Sequence, residues 1–204
     1  MYIKGNIKRL MLYRLCLIKA RESGKRKIFS YDLASVTGIA KEQIRKDFSN
    51  FNIIGRKKGG YDVDTLIDLL NIIFKRNESQ HVVVIGVGYL GSALLQYISG
   101  FADRHQYSLT GFDIDKTRTI SRSGIDVLPM DELEKFIKNN KVKIAILSLP
   151  GTFAQNICDK IVRYGIRGIM NFAPVVLKVP HDVIVNNINL CDELEGVIYA
   201  TLSE

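Results

Sequence analysis

A glycine-rich turn that follows an apolar run is the feature that most constrains how this chain folds. Residues 81–85 read His-Val-Val-Val-Ile, a β-branched run typical of a strand buried on both faces of a parallel sheet. Gly86, Gly88 and Gly91 follow in the spacing GxGxxG, and a helix is predicted over residues 90–99. In this context the glycines allow a tight turn and let the backbone approach a pyrophosphate at the helix N-terminus. The segment therefore predicts a dinucleotide site, and a glycine-rich turn that binds nothing is the alternative.

A carboxylate at the end of the next predicted strand indicates which dinucleotide would bind. That strand covers residues 108–113 and ends at Asp113, at the spacing of about 20 residues from the glycines that the nucleotide-binding fold uses. A carboxylate there binds both ribose hydroxyls of the adenosine half and repels a 2′-phosphate. NAD(H) is therefore favoured over NADP(H), although Lys116 and Arg118 nearby keep the phosphorylated cofactor from being excluded.

The second part of the chain alternates between predicted strands and predicted helices. Strands are expected at residues 81–85, 108–113, 142–148, 168–171 and 183–185, and helices at residues 90–99, 131–139, 152–164 and 192–202. Thr152 and Gln155 have the spacing of a capping box at the start of the third of these helices. This βαβ alternation predicts an α/β fold with a Rossmann-type, doubly wound parallel sheet.

Two loops at predicted strand ends are further candidates for the cofactor site. Leu149 and Pro150 follow one strand, and Asn171, Phe172, Ala173 and Pro174 follow the next. In open α/β sheets the ligand lies over the carboxyl ends of the strands, which places both loops beside the nicotinamide half. The same residues are explained equally well if proline and glycine simply form turns at the strand ends and bind no ligand.

The first part of the chain carries the positive charge. The net charge is +8, and nearly all the excess of Lys and Arg over Asp and Glu lies in residues 1–80. Such asymmetry indicates that one domain contacts nucleic acid or an acidic membrane surface, unless the basic surface is merely solvated.

The basic part also has the pattern of a helix-turn-helix. After a largely apolar helix at residues 7–20, Ser30 is expected to cap a short helix that Gly38 ends, and a second helix follows at residues 41–51. Ile44, Phe48 and Phe51 share one face of the second helix. Its opposite face is basic and rich in donors, and the candidate DNA-reading residues there are Gln43, Arg45, Lys46 and Ser49.

A short basic hairpin completes the pattern of a winged helix. Arg56, Lys57 and Lys58 lie between glycines and are expected to hold phosphates or enter the minor groove as the wing. Asp64 is expected to cap a last helix that reaches Lys75, and a polar linker follows. These features predict a winged-helix DNA-binding domain at residues 1–78, a Rossmann NAD(H)-binding domain at 79–190 and a separate C-terminal helix at 191–204.

Several function classes find no support in the sequence. No apolar run is long enough to span a bilayer and no signal peptide is apparent, so a cytoplasmic protein is expected. Three cysteines and three histidines are scattered without the spacing of metal ligands. No catalytic constellation accompanies the cofactor motif, which argues against an enzyme; a small NAD-dependent oxidoreductase is the least supported alternative.

Together these segments resemble the Rex redox-sensing repressors over nearly the whole chain. The order and spacing of the motifs carry the resemblance, and no single motif does. The matching segments are Lys8-Arg9-Leu10, Tyr13-Arg14, residues 43–49 with Phe51, Gly60-Tyr61, residues 86–94, Phe112-Asp113, Ala154-Gln155, residues 165–169 and residues 171–174.

The resemblance implies a transcriptional repressor that binds a palindromic operator as a homodimer and is released by NADH, while NAD+ competes and permits binding. It also implies that the last helix is exchanged between the subunits. The candidate cofactor residues are then Gly86, Val87, Gly88, Tyr89, Leu90, Gly91, Asp113, Ile114, Arg118, Leu149, Pro150, Asn171, Phe172, Ala173 and Pro174.

The chain departs from the family at the wing and at one allosteric contact. Lys57-Lys58 replaces Arg-Gly, and Lys lacks the planar fork of Arg. The family links an Arg and a Tyr, here Arg14 and Tyr97, to an Asp of the partner subunit, and Asn189 stands at that Asp position. A neutral amide weakens such a bond. The alternative function is therefore a divergent NAD(H)-binding paralogue without specific DNA binding, which acts through protein partners.

Overall fold

The computed structural model describes residues 5–55, 59–75, 79–100, 107–115, 117 and 125–202. The chain forms two compact units, and the second begins at Ser79. Arg56, Lys57, Lys58 and Arg118, all predicted to contact ligands, lie outside the described residues.

The N-terminal unit is a small helical domain with one two-stranded sheet. Its elements are α1 (Gly5–Glu22), β1 (Lys27–Ile28), α2 (Ser30–Thr37), α3 (Lys41–Ser49), β2 (Tyr61–Asp62) and α4 (Val63–Ile73). β1 and β2 pair antiparallel, with Ile28 opposite Tyr61. The order helix, strand, helix, helix, strand, helix confirms the predicted winged-helix class, with β2 at the end of the segment predicted as the wing and paired to β1, which precedes the helix-turn-helix. Its core is formed by Leu10, Tyr13, Leu17, Leu33, Ile44, Phe48, Leu66 and Leu70, among others.

Two predicted helix caps in this unit are wrong. Phe29, not Ser30, precedes α2, and its backbone N–H donates to Asp32 Oδ2 at 2.8 Å. Asp62, not Asp64, caps α4 and accepts from the Thr65 backbone N–H at 2.9 Å. In both cases the chain enters the helix straight from the short β1–β2 sheet, so the helix begins earlier than the sequence pattern suggested.

The second helix of the helix-turn-helix is also shorter than predicted. It ends at Ser49 rather than at residue 51. Asn52 has a left-handed φ of 56°, and the Ile53 backbone N–H donates to the Phe48 carbonyl at 2.9 Å. This reversal ends the helix and buries Ile53, while Phe51 packs against the core from the turn.

A buried carboxylate ties α3 to α1. Asp47 is fully buried and accepts from Arg9 Nε and Nη2, both at 2.6 Å, from the Tyr13 hydroxyl at 2.9 Å and from Gln43 Nε2 at 2.8 Å. Burial alone would raise the pKa of Asp47, but these hydrogen bonds outweigh burial and hold the pKa below its ordinary value of 3.8. The carboxylate therefore stays charged and fixes the roll of α3 against α1.

The C-terminal unit is built on a parallel sheet of six strands in the order β5-β4-β3-β6-β7-β8. Its elements are β3 (Gln80–Ile85), α5 (Tyr89–Ser99), β4 (Tyr107–Asp113), β5 (Val127–Pro129), a 3-10 turn (Met130–Glu132), α6 (Leu133–Asn139), β6 (Ile144–Leu147), α7 (Gly151–Tyr164), β7 (Gly168–Asn171), β8 (Ile184–Asn187) and α8 (Leu190–Leu202). All described neighbours in this sheet run parallel. This strand order confirms the predicted Rossmann-type fold.

The apolar run in β3 is buried on both faces of the sheet. Val83 and Ile85 pack into one cluster with Phe112 and Leu147. Val82 and Val84 pack into a second cluster that includes Leu95 and Ile146. Adjacent side chains of a strand point to opposite faces, so a central strand needs an uninterrupted apolar sequence.

The structure differs from the sequence prediction at several elements of this unit. The edge strand β5 is absent from the prediction, and β8 lies one or two residues later than residues 183–185. The predicted capping box of Thr152 and Gln155 is wrong, because α7 begins at Gly151 with Pro150 before it. Instead, Gln155 Nε2 donates to the Lys178 carbonyl and the Lys178 backbone N–H donates to Gln155 Oε1, each at 2.9 Å. Gln155 thus pins the loop that connects β7 to β8.

The last helix has no buried residue of its own. α8 carries Leu190, Leu194, Val197 and Ile198 at helical spacing, and each of these side chains is exposed. A continuous apolar stripe on a surface helix normally faces a core. Among the helices of the described ranges, α8 included, none is long and apolar enough to cross a membrane.

We expect Asp47→Asn to destabilise the N-terminal unit by roughly 1.5–3 kcal/mol, the range for hydrogen bonds to a charged group. The depressed pKa stabilises the fold above the ordinary value of 3.8, and that stability is lost as the pH falls below it. The substitution should therefore also flatten the acid limb of a plot of unfolding free energy against pH. Urea unfolding followed by circular dichroism at several pH values measures both effects.

Asp68→Asn, at an exposed position of α4, is the matched control and should change neither quantity appreciably. Equal destabilisation by both substitutions would contradict a special role for the buried carboxylate.

Candidate functional site

The glycine-rich loop brings the end of β3 into close contact with the start of α5. Gly86 has a left-handed φ of 89°. A Cβ atom at Gly86 would lie 2.6 Å from the Ser148 carbonyl oxygen, and one at Gly91 would lie 1.9 Å from the Gly86 carbonyl oxygen. Both positions therefore require glycine. The result is a helix N-terminus, with its free N–H groups, directly at the carboxyl edge of the sheet.

Asp113 fixes this loop from the neighbouring strand. It lies at the carboxyl end of β4, is almost fully buried, and accepts from the Val87 backbone N–H at 2.6 Å through Oδ2. Its Oδ1 accepts from the Asp115 backbone N–H at 2.9 Å. The carboxylate predicted to meet the ribose is thus positioned beside the glycine-rich loop by the backbone on both sides. Ile114, also predicted to contact the cofactor, is 86% exposed next to it.

The loop after β6 closes against the other side of the glycine-rich turn. The Ser148 hydroxyl donates to the Gly86 carbonyl at 2.7 Å, and the Leu149 side chain reaches the space beside Gly86. Pro150 is exposed and precedes α7. Nothing in the sequence indicates this role of Ser148, because a serine at a strand end gives no signal of such a contact.

The loop after β7 is folded around Asn171. This fully buried side chain accepts from the Ala173 backbone N–H at 3.1 Å, and its Nδ2 donates to the Val175 carbonyl at 2.8 Å and to Asn187 Oδ1 at 2.9 Å. The amide therefore shapes the loop and links it to β8. Phe172 is half-buried, Ala173 is buried and Pro174 is exposed.

These contacts gather the predicted cofactor residues at one edge of the sheet. Val87 meets Asp113 and Gly86 meets Ser148, while a Cβ atom at Gly151 would lie 2.8 Å from Val175. The carboxyl ends of β3, β4 and β6 therefore meet at the N-terminus of α5, and the loop after β7 lies against the start of α7 at the same edge of the sheet. This fold holds a dinucleotide at such an edge. Within the described residues, no group of three or more His, Cys, Asp or Glu residues has the geometry of a metal site.

The predicted DNA-reading residues lie on α3, the second helix of the helix-turn-helix. Arg45, Lys46 and Ser49 are exposed, and Arg45 Nε donates to the Ser30 hydroxyl at 3.1 Å. Gln43 is half-buried, and its amide is hydrogen bonded to Asp47 rather than projecting into solvent.

The three residues predicted to act in allostery lie on different elements. Arg14 on α1 donates from Nε to Asn71 Oδ1 at 2.7 Å. Tyr97 on α5 is largely exposed. Asn189 caps α8: its Oδ1 accepts from the Cys191 backbone N–H at 3.1 Å and its Nδ2 donates to Asp192 Oδ1 at 2.7 Å.

Two family models match the chain, one in each unit. The model "Putative DNA-binding protein N-terminus" matches residues 4–49, and the model "CoA binding domain" matches residues 77–175. The first contains α1 to α3, and the second contains the glycine-rich loop and Asp113.

Curated relatives match the chain over nearly its whole length. A redox-sensing transcriptional repressor Rex from Lactobacillus acidophilus is 39% identical over 202 residues, covering 98% of this chain and 95% of the relative. A protein of the same name from Exiguobacterium sp. is 37% identical over 197 residues, covering 96% of this chain and 90% of the relative.

Solved structures of RSP, a Rex-family repressor, share the fold. The complex of RSP with beta-NAD+ and operator DNA has a TM-score of 0.89 at 34% identity, covering 96% of this chain and 90% of RSP. The complex with beta-NADH has a TM-score of 0.86 at 34% identity, covering 98% of this chain and 94% of RSP. With this similarity across both units, the chain belongs to the Rex family of redox-sensing transcriptional repressors.

Proposed function

We propose that this protein is a transcriptional repressor that binds operator DNA as a homodimer in the cytoplasm and is released by NADH. The proposal rests on two features that occur in one chain. One is a helix-turn-helix that exposes Arg45 and Lys46, and the other is a glycine-rich loop whose backbone donates to Asp113. Regulation by a bound cofactor fits this chain better than catalysis, since the sequence offers no proton donor beside the nicotinamide loops.

The cofactor would lie across the carboxyl edge of the sheet. Backbone N–H groups of residues 88–91 at the start of α5 would bind the pyrophosphate, because those of Gly86 and Val87 already donate to the Phe112 carbonyl and to Asp113. Asp113, with Ile114 and Arg118, would hold the adenosine half, and its charge would disfavour a 2′-phosphate. Leu149, Pro150 and residues 171–174 would enclose the nicotinamide half. NADH supplies only its binding energy here, and the protein residues hold and orient it.

The DNA would be bound by α3 and by the segment predicted as the wing. Arg45 and Lys46 would reach base edges in the major groove or hold phosphates, with Ser49 beside them. Arg56, Lys57 and Lys58 would add backbone contacts. Gln43 has a smaller part in this proposal than its position suggests, because its amide is already hydrogen bonded to Asp47.

Dimerisation would cover the exposed apolar stripe of α8. A helix with Leu190, Leu194, Val197 and Ile198 all exposed gains stability only when another surface buries them. We assign that surface to a second copy of the chain, with residues 191–204 exchanged between subunits and residues 1–78 and 79–190 forming the DNA-binding and NAD(H)-binding domains.

The switch would work by shifting the population between two arrangements of the dimer. NADH releases DNA only if it binds the DNA-incompetent arrangement more tightly than the competent one. By linkage, operator DNA must weaken NADH binding by the same factor. Arg14 and Tyr97 would sense the arrangement, and the neutral Asn189, which already caps α8, would make the coupling weaker than a carboxylate would.

We expect the purified protein to enrich one palindromic sequence from a random duplex pool at moderate salt, and to release it when NADH is added. Selection followed by sequencing measures both effects. Weak retention of all sequences that salt abolishes would contradict specific recognition, and would favour a NAD(H)-binding paralogue that acts through protein partners.

Gly91→Ala should weaken NADH binding at least tenfold, because the added methyl group would lie 1.9 Å from the Gly86 carbonyl oxygen and must displace the loop. Quenching or enhancement of NADH fluorescence on titration measures the affinity. Gly100→Ala, at the other end of α5, is the matched control, since its nearest neighbour would be 3.5 Å away. Equal affinities of the two variants would argue against pyrophosphate binding at this loop.

Val197→Asp should convert the dimer into a monomer, because it places a charge in the apolar stripe of α8. Sedimentation equilibrium measures the mass. Glu195→Gln, which changes charge on the same helix outside the spacing of the stripe, should leave the dimer intact. A dimer that survives Val197→Asp would show that α8 is not the dimer contact.

A further inference from the structure

The guanidinium of Arg45 is held by a side chain from the other helix of the helix-turn-helix. Arg45 Nε donates to the Ser30 hydroxyl at 3.1 Å, across fifteen positions of the chain. Ser30 is 5% exposed, whereas Arg45 is exposed. The contact therefore anchors Nε of Arg45 on a buried hydroxyl at the start of α2, while the residue as a whole remains exposed.

The Ser30 hydroxyl is available for this contact because α2 does not use it as a cap. The Phe29 backbone N–H and the Asp32 carboxylate form the hydrogen bond that closes the start of the helix. A serine at the start of a helix usually accepts a hydrogen bond from a backbone N–H of the first turn. Here Asp32 caps the start of α2 instead, and the Ser30 hydroxyl accepts from Arg45 Nε.

Anchoring Nε determines which edge of the guanidinium faces outward. Arg recognises guanine through two parallel N–H donors aimed at O6 and N7. Because Nε donates to Ser30, the two donors left for DNA are the terminal nitrogens Nη1 and Nη2 of Arg45. Within the described part of the chain, no hydrogen bond from these two nitrogens is seen. A free Arg side chain loses much rotamer entropy on binding, so an anchored one binds a planar acceptor pair with less loss.

We propose that Ser30 is a positioning residue that gives Arg45 its preference for guanine in the operator. The inference rests on the proposed DNA-binding function and adds a specificity-determining residue to it. Gln43 strengthens the case, because its amide is committed to Asp47 and base discrimination by α3 then depends more heavily on Arg45.

The test compares base preferences of the full-length protein and four variants by selection from a random duplex pool. Arg45→Ala identifies the operator position that Arg45 reads, as the position where the preference for guanine disappears. Ser30→Ala should reduce the preference for guanine at that same position by roughly three- to tenfold, the net value of a typical intramolecular hydrogen bond. It should leave the preferences at the other positions unchanged.

Ser30→Thr keeps the hydroxyl and should restore the preference. Ser35→Ala is the matched control, because the Ser35 hydroxyl donates to the Asp32 carbonyl within α2. The ratio of bound sequences does not depend on the fraction of folded protein, so a loss of stability in Ser30→Ala cannot imitate the expected result.

An unchanged guanine preference in Ser30→Ala, or an equal loss at every position, would overturn the inference while leaving the repressor function intact. A wild-type protein that selects no sequence would overturn the proposed function, and the role of Ser30 with it. Loss confined to the Arg45 position, with rescue by Thr, is the result that supports the inference.

Discussion

The contact between Gly91 and the Gly86 carbonyl is the constraint on which the C-terminal unit depends. Any side chain at Gly91 would overlap that oxygen, so only glycine lets α5 begin directly at the end of β3. Asp113 then reaches the Val87 backbone N–H, and Ser148 reaches the Gly86 carbonyl. Three strands are thus joined around one helix end by short polar contacts. The cofactor motif is therefore also a packing motif, which explains why its spacing predicts structure and ligand together.

Much of this unit could be predicted from the sequence because its signals are local. The apolar run of β3, the glycine spacing and the acid at the end of β4 are each signals of a few neighbouring residues, and the structure places them as expected. The missed features depend on distant partners. β5 is a three-residue edge strand, and Gln155 looks like a capping residue although it bonds the backbone of Lys178. No periodicity in the sequence indicates the pairing of β5 with β4 or the hydrogen bonds of Gln155 to Lys178.

The helix-turn-helix shows the same limit at the level of single side chains. The pattern of α3 placed Gln43 and Arg45 together on a polar face, yet the structure gives them different partners. Gln43 joins Arg9 and Tyr13 around the buried carboxylate of Asp47, whereas Arg45 donates to Ser30 and stays exposed. A charged residue inside a helix pattern, such as Asp47, looks like surface until its partners on another helix are known. The sequence therefore predicted the existence and position of α3 more reliably than the partners of its polar side chains.

The exposure of every side chain of α8 would affect how much of this protein accumulates in the cell. A segment of 13 residues that buries nothing is only marginally helical in water. Until another surface covers it, a helix that buries so little opens easily and is accessible to proteases. In the dimer proposed above, paired chains would be protected and single chains would be degraded. The level of intact protein would then rise more steeply than its rate of synthesis. Exposure of α8 would then lead to the degradation of unassembled copies before they bind DNA.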